Sequence, residues 1–116
     1  MVVPFCPDCG DFIWIDFDPQ VGHEQAGHRP AIVLSSKSFN SRTSLAFVCP
    51  ITSRVKGYPF EVVLPTHLPL HGVVLCEHLR SMDWQARRVT FIGKAPEEVV
   101  LEVREVIAAI ACVSLE

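Results

Sequence analysis

Asp11-Phe12-Ile13-Trp14-Ile15-Asp16-Phe17-Asp18-Pro19 runs directly into Gln20-Val21-Gly22-His23-Glu24-Gln25-Ala26-Gly27-His28-Arg29-Pro30. The first half alternates. Phe12, Trp14 and Asp16 fall on one face and Ile13, Ile15 and Phe17 on the other, the period of a β-strand. Asp18 and Pro19 end it. The second half is a polar, Gly-flanked loop that ends on Arg29, at the threshold of Ala31-Ile32-Val33-Leu34. That apolar run reads as a buried second strand. A permanently charged fork is thus held at the rim of a β core, and arginine is favoured where a phosphate must be gripped at two points.

Working outward, Ser35 to Thr43 is polar and reads as a loop. Leu45 to Cys49 is a third strand, stopped by Pro50. Gly57-Tyr58-Pro59 signals a turn, and Phe60 to Leu64 a fourth strand. Pro65 to His71 is a loop and Gly72 to Cys76 a fifth strand. Ser81 to Ala86 has room for a helical turn, and Arg88 to Ile92 reads as a sixth strand. From Pro96 the period changes. Val99, Val100, Val103, Val106, Ile107 and Ile110 recur at three and four, with Glu98, Glu102 and Glu105 outward, which predicts an amphipathic helix. Pro96 suits its first position and Glu97-Glu98 its positive end. The expected fold is mainly β, a small and strongly bent sheet or barrel closed by one C-terminal helix.

With 116 residues and 12.9 kDa the chain is expected to be a single domain spanning 1–116. Hydrophobic residues make up 49% and charged residues 20%, which excludes disorder as the default. No run approaches the roughly 20 apolar residues of a membrane helix. The N-terminus lacks the basic head and apolar stretch of a signal peptide, so a cytoplasmic location is expected. A net charge of -3 argues against a general polyanion binder. The distribution is uneven, however. Residues 1–27 carry five acids and no Lys or Arg, whereas residues 28–60 carry five bases (Arg29, Lys37, Arg42, Arg54, Lys56) and no acid. A basic centre in an acidic chain suits a local anion site, although solvated loop charges would give the same count.

Five cysteines is an odd number, as expected of a reducing compartment. Cys6-Pro7-Asp8-Cys9 has the spacing of a zinc or redox pair, but structural zinc takes four ligands and one pair supplies two. A zinc bridge between two subunits, or a redox pair, is the reading that spacing leaves open. Cys49, Cys76 and Cys112 lie in apolar runs and read as small core residues.

Three motifs carry a resemblance. They are the Gly10-Asp11-Phe12-Ile13-Trp14-Ile15-Asp16 strand, the Gly22-His23-Glu24-Gln25-Ala26-Gly27-His28-Arg29-Pro30 loop, and Pro50-Ile51-Thr52-Ser53. Together with Lys56 to Val62 and the Arg80-Ser81 and Asp83-Trp84 neighbourhood, they closely resemble the MazF/PemK toxins, from about Val3 to Ile110. The resemblance implies an SH3-like barrel, a homodimer, and a metal-free endoribonuclease that cuts single-stranded RNA at short sequences, with no cofactor. It implies products with a 2′,3′-cyclic phosphate and a 5′-hydroxyl. It also implies a small acidic antitoxin that competes for the RNA groove. Arg29 and Thr52 occupy the positions of the family's catalytic pair. The Glu24-Gln25 loop is similar to that of toxins cutting at ACA, which implies an ACA-like triplet. Arg54, Val55 and the Thr66 to His71 loop depart from the family pattern. The cysteine pair is not something the family predicts.

The chemistry of metal-free cleavage agrees. The 2′-hydroxyl attacks the adjacent phosphorus, which requires a proton acceptor, stabilisation of extra charge on the phosphate and a proton for the leaving oxygen. Arg29 holds its proton too tightly to be a ready base, so charge stabilisation comes first. Thr52 is suited to donate a hydroxyl hydrogen to a phosphate oxygen, or equally to bond turn backbone. Glu24 is the candidate proton acceptor or orienter of Arg29. His28 has acid–base character near neutral pH and is assigned as a substrate contact. Further RNA contacts are expected from residues matching the family's groove. Phe17 would stack a base, and Gln20, Gln25, Glu77 and His78 would read base edges. Ser53, Lys56, Arg80 and Arg87 would hold phosphate or bases. Two other classes stand beside this reading. One is a non-catalytic SH3-like binding toxin acting on a protein such as gyrase. The other is a Cys-x-x-Cys metal or redox protein.

Overall fold

The computed structural model describes residues 5–18 and 27–113. Gln20, Glu24 and Gln25 therefore lie outside the described residues. β1 (Asp11–Asp16) lies between β2 (His28–Val33) and β7 (Thr90–Lys94), antiparallel to both. β2 pairs on its other side with β3 (Leu45–Thr52). β3 in turn carries β5 (Val73–Leu75) and β6 (Arg80–Asp83), and β5 carries β4 (Glu61–Val63). The hydrogen-bonded order is β4-β5-β3-β2-β1-β7, with β6 alongside β3. α2 (Glu97–Ile110) follows the last strand, so the expected mainly β architecture with a C-terminal helix is found.

Both faces of β1 are covered, which is why its alternation sorts residues between two cores. Phe12 joins Ile32, Cys49, Ile51, Val62 and Val74 under the buried Val99 and Val103 of α2. Ile13, Ile15 and Phe17 join Ala31, Val33, Ala46, Val48, Met82 and Trp84 on the other side. A register shift between Phe12 and Ile13 accommodates the bend. Ile110 departs from the expected helix face and stays exposed, while Val100, Val106 and Ile107 pack partly against the first core.

Three expectations need correction. The polar Ser35–Thr43 stretch is not a loop. Lys37–Thr43 forms helix α1, capped by the Ser36 hydroxyl accepting from Phe39 N–H (3.2 Å) and ended by Ser44 at φ 64°. Ser, Asn and Thr are weak helix formers but strong caps, and here the caps prevail. Asn40, fully buried, donates to the carbonyls of Pro7 (2.8 Å) and Ser35 (3.1 Å), and its own carbonyl accepts from Trp84 Nε1 (3.0 Å). Pro50, the second case, does not stop β3. Phe47 accepts from Leu34 N–H across β2. By alternation the Pro50 nitrogen faces the other edge, opposite the 3-10 turn Cys76–His78, where that edge's ladder is interrupted between β5 and β6. Third, Cys112 is exposed beyond α2, at φ 60°. Cys49 and Cys76 are buried as expected.

Candidate active site

The β2–β3 register pairs Val33 with Val48, Ile32 with Cys49 and Ala31 with Pro50. Continued two residues outward from the last rung, it sets Arg29 level with Thr52. The period of two also puts them on one face. Arg29 follows Ala31 and Val33, and Thr52 follows Ala46 and Val48, all facing the second core. On the far edge of β3, Arg80 pairs with Val48 two positions from Met82, so it shares that face. It is half-buried, with its Nη1 out of solvent. Arg29 and Thr52 therefore sit level on one rim of the sheet, where a phosphate would meet a fixed positive charge and a hydroxyl, while Arg80 shares the face but lies four residues along β3 from Thr52.

Thr52 is 8% exposed, and its hydroxyl oxygen accepts from Arg54 N–H at 3.2 Å. That bond occupies a lone pair and leaves the hydroxyl hydrogen to donate elsewhere. Ser53 and Lys56 follow in an exposed segment. Its turn is tied by Glu61, whose carboxylate accepts from Gly57 N–H (2.9 Å) and Lys56 N–H (3.4 Å), and Lys56 Nζ lies 5.9 Å from the Tyr58 ring centroid. Glu77 and His78 sit on the 3-10 turn between β5 and β6, Glu77 exposed and His78 half-buried.

The described residues on either side of the 19–26 segment, which carries Glu24, are pinned together into a neck. Phe17 N–H donates to the Gly27 carbonyl (2.8 Å), and Gly27 N–H donates to Asp18 Oδ1 (2.8 Å). Arg87 Nη1 donates to the carbonyls of Asp16 and Asp18, each at 3.0 Å. Arg87 thus braces the neck through one of its guanidinium nitrogens. Phe17 is also corrected: it is 0% exposed and belongs to the second core, so it offers no ring to a base. Trp14, 39% exposed, instead stacks on the His28 imidazole at 5.8 Å and 13°, on the face of the sheet opposite that of Arg29. The alternation of β1 already held that signal, because it placed Trp14 opposite Phe17.

The Cys6-Pro7-Asp8-Cys9 segment is a fold device. Asp8 Oδ1 accepts from Cys9 N–H (2.8 Å) and Lys37 N–H (3.0 Å), joining the entry of β1 to α1. Burial opposes the charge of Asp8, but those two bonds and the nearby Lys94 and Lys37 outweigh it and hold the carboxyl below its usual range. Asp11 is buried and paired with Lys94 Nζ at 2.5 Å. Desolvation pushes the Cys6 and Cys9 thiols up, away from the thiolate form that redox chemistry and metal binding use. Among the described residues no three His, Cys, Asp or Glu side chains are grouped to hold a metal.

Known proteins place this geometry in context. The family model for PemK-like, MazF-like toxins of type II toxin–antitoxin systems matches residues 8–111. The endoribonuclease toxin MazF of Escherichia coli K12 is 50% identical over 102 residues, covering 87% of this chain and 91% of that one. The crystal structure of MazF from Deinococcus radiodurans superposes with a TM-score of 0.91 at 50% identity, over 94% of this chain and 99% of that one. MazF in a MazE–MazF crystal structure from the same organism reaches a TM-score of 0.87 at 50% identity, over 96% of this chain and 100% of that one. With the motifs, the fold and the Arg29–Thr52 rim in agreement, the chain belongs to the PemK-like, MazF-like toxins of type II toxin–antitoxin systems.

Proposed function

We propose that this protein is the toxin of a type II pair and acts as a sequence-specific endoribonuclease on single-stranded RNA in the cytoplasm, without a metal. The observation that carries the reading is the placement of Arg29 and Thr52 on one face and at one level of the sheet. The 2′-hydroxyl oxygen attacks the adjacent phosphorus as its proton passes to an acceptor. The bond from phosphorus to the 5′-oxygen then breaks, and a proton reaches that oxygen. The products are a 2′,3′-cyclic phosphate and a 5′-hydroxyl. Arg29 stabilises the charge that gathers on the phosphate oxygens. The Thr52 hydroxyl, already accepting from Arg54, donates to one of them. Glu24 serves as proton acceptor or orients Arg29. His28 with Trp14, Gln20 and Gln25, and Ser53, Lys56, Glu77, His78 and Arg80 contact the strand, with an ACA-like triplet as the recognised sequence.

The partner is a small acidic, MazE-like antitoxin. The basic segment from Arg29 to Lys56 and the MazE–MazF crystal structures of the Deinococcus relative support this. Homodimerisation is supported by an apolar groove lined by Leu34, Phe47, Leu79, Ile107 and Val113, of which Phe47, Leu79 and Val113 are exposed.

The test is incubation with a long, structure-poor RNA in excess EDTA, followed by mapping of new 5′ ends. Discrete ends bearing 5′-hydroxyls are expected. Arg29→Ala is expected to lower their formation by about 100-fold or more. Intact RNA across many sequences refutes the reading in favour of a binding toxin, and an Arg29→Ala protein with wild-type rate refutes the mechanism.

A further inference from the structure

We propose that Gly72 is a positioning residue for Thr52, an inference that rests on the role given to Thr52 above. Gly72 enters β5 with φ +116°. A Cβ on its backbone would lie 2.0 Å from the Thr52 carbonyl oxygen and 2.8 Å from the Ser53 Cα. Ordinary contacts of a Cβ begin near 3.4 Å, so the two backbones would have to part by more than about 1 Å. Both obstacles are main chain, and neither swings away as a side-chain tip would.

Gly72 has little room to retreat. Its carbonyl accepts from Leu64 N–H at 2.9 Å, and the next residue, Val73, is paired with Thr52 on one side and Val63 on the other. Thr52 is the end of β3, and the chain beyond it, from Ser53 to Phe60, is exposed. The displacement therefore falls on the Thr52–Ser53 peptide. That peptide precedes Arg54, whose N–H orients the Thr52 hydroxyl. Bare backbone at position 72 thus presses the end of β3 into the position from which Thr52 reaches the phosphate. The other described glycines do no such work: Gly27, Gly57 and Gly93 meet nothing within 4 Å, and Gly10 meets Val100 Cγ2 at 3.4 Å.

The experiment compares Gly72→Ala, Thr52→Ala, the double variant and Gly10→Ala in RNA cleavage, with amide hydrogen exchange at Arg54 measured in each. Gly10→Ala carries a similar left-handed backbone cost (φ +89°) at the entry to β1. It is expected to lose stability but keep kcat. Gly72→Ala is expected to lose about 100-fold in kcat, the scale of a 1 Å misplacement, with KM changed by less than about threefold. In the Thr52→Ala background the further loss is expected to shrink to less than about threefold, because both act through one hydroxyl. Exchange at Arg54 is expected to quicken in Gly72→Ala and not in Gly10→Ala. Equal losses in both backgrounds, or wild-type kcat in Gly72→Ala, overturn the inference. Should Gly72→Ala not fold, His71→Gly loosens the same backbone without crowding it. A kcat loss there that disappears without Thr52 supports the inference, and unchanged kcat overturns it. If the wild-type protein cleaves no RNA, the ribonuclease reading has failed. Arg54 exchange still decides whether Gly72 sets the Thr52 turn, and unchanged exchange overturns it.

Discussion

Replacing Arg87 separates two roles that a cation beside an RNA groove invites. Its Nη1 donates to the Asp16 and Asp18 carbonyls at 3.0 Å each, at the end of β1. Charge-assisted bonds of this kind are worth roughly 1.5–3 kcal/mol each when sheltered. The Asp18 bond is exposed and the Asp16 bond half-buried, so together they contribute about 2 kcal/mol. Arg87→Ala is expected to lower Tm by about 8 °C and to slow cleavage by loosening the end of β1 around Asp16 and Asp18. The Arg87 main-chain carbonyl still accepts from Asp16 N–H (3.0 Å), so the strand itself survives. The assay is a thermal melt combined with cleavage of a short fluorogenic RNA across a salt series. A phosphate contact would remove roughly 0.7 from the slope of log affinity against log salt. A brace leaves the slope unchanged. Arg87→Lys sharpens the test, because an ammonium keeps the charge but lacks the planar fork that spans two carbonyls. A slope reduced by about 0.7 with Tm unchanged, together with rescue by lysine, would refute the brace.

Two further predictions concern the scaffold. Asn40→Ala deletes the bonds to the Pro7 and Ser35 carbonyls inside the protein, and is expected to cost about 3 kcal/mol and about 12 °C in Tm by calorimetry; a change within 2 °C or so would show that α1 does not depend on that side chain. The Asp8 carboxyl is held below its usual range in the folded protein, so its contribution is fully present above the unfolded value and is lost as pH falls through the folded one. Asp8→Asn should therefore narrow the stability gap between neutral and acid pH in denaturant titrations, and an identical pH dependence in both proteins would rule the linkage out.

The parts of this fold that declare themselves in the sequence are those whose partners are near in the chain or whose period is long. The alternation of Phe12 to Phe17 is visible because each residue enters one of two cores, and α2 because Val99 and Val103 recur on one face. α1 is not visible, since its stability rests on one cap and on the buried Asn40, whose partners Pro7 and Trp84 lie far along the chain. Phe17 misleads for a related reason. An aromatic ring at a strand end suits a core and a base equally, and only the packing of Ala31, Val48 and Trp84 around it decides. The site divides in the same way. Arg29 and Thr52 are legible as residue types in recognisable motifs, but that they stand level is a property of register, which depends on the Ala31–Pro50 rung and on a proline that looks like a strand terminator. Gly72 is less legible still, because a glycine before an apolar run reads as an ordinary turn. Its meaning lies in the 2.0 Å that separate its absent Cβ from the Thr52 carbonyl. The arrangement proposed for catalysis thus leans on atoms that no motif names: a missing methyl group behind Thr52, and an arginine engaged with the Asp16 and Asp18 carbonyls at the end of β1.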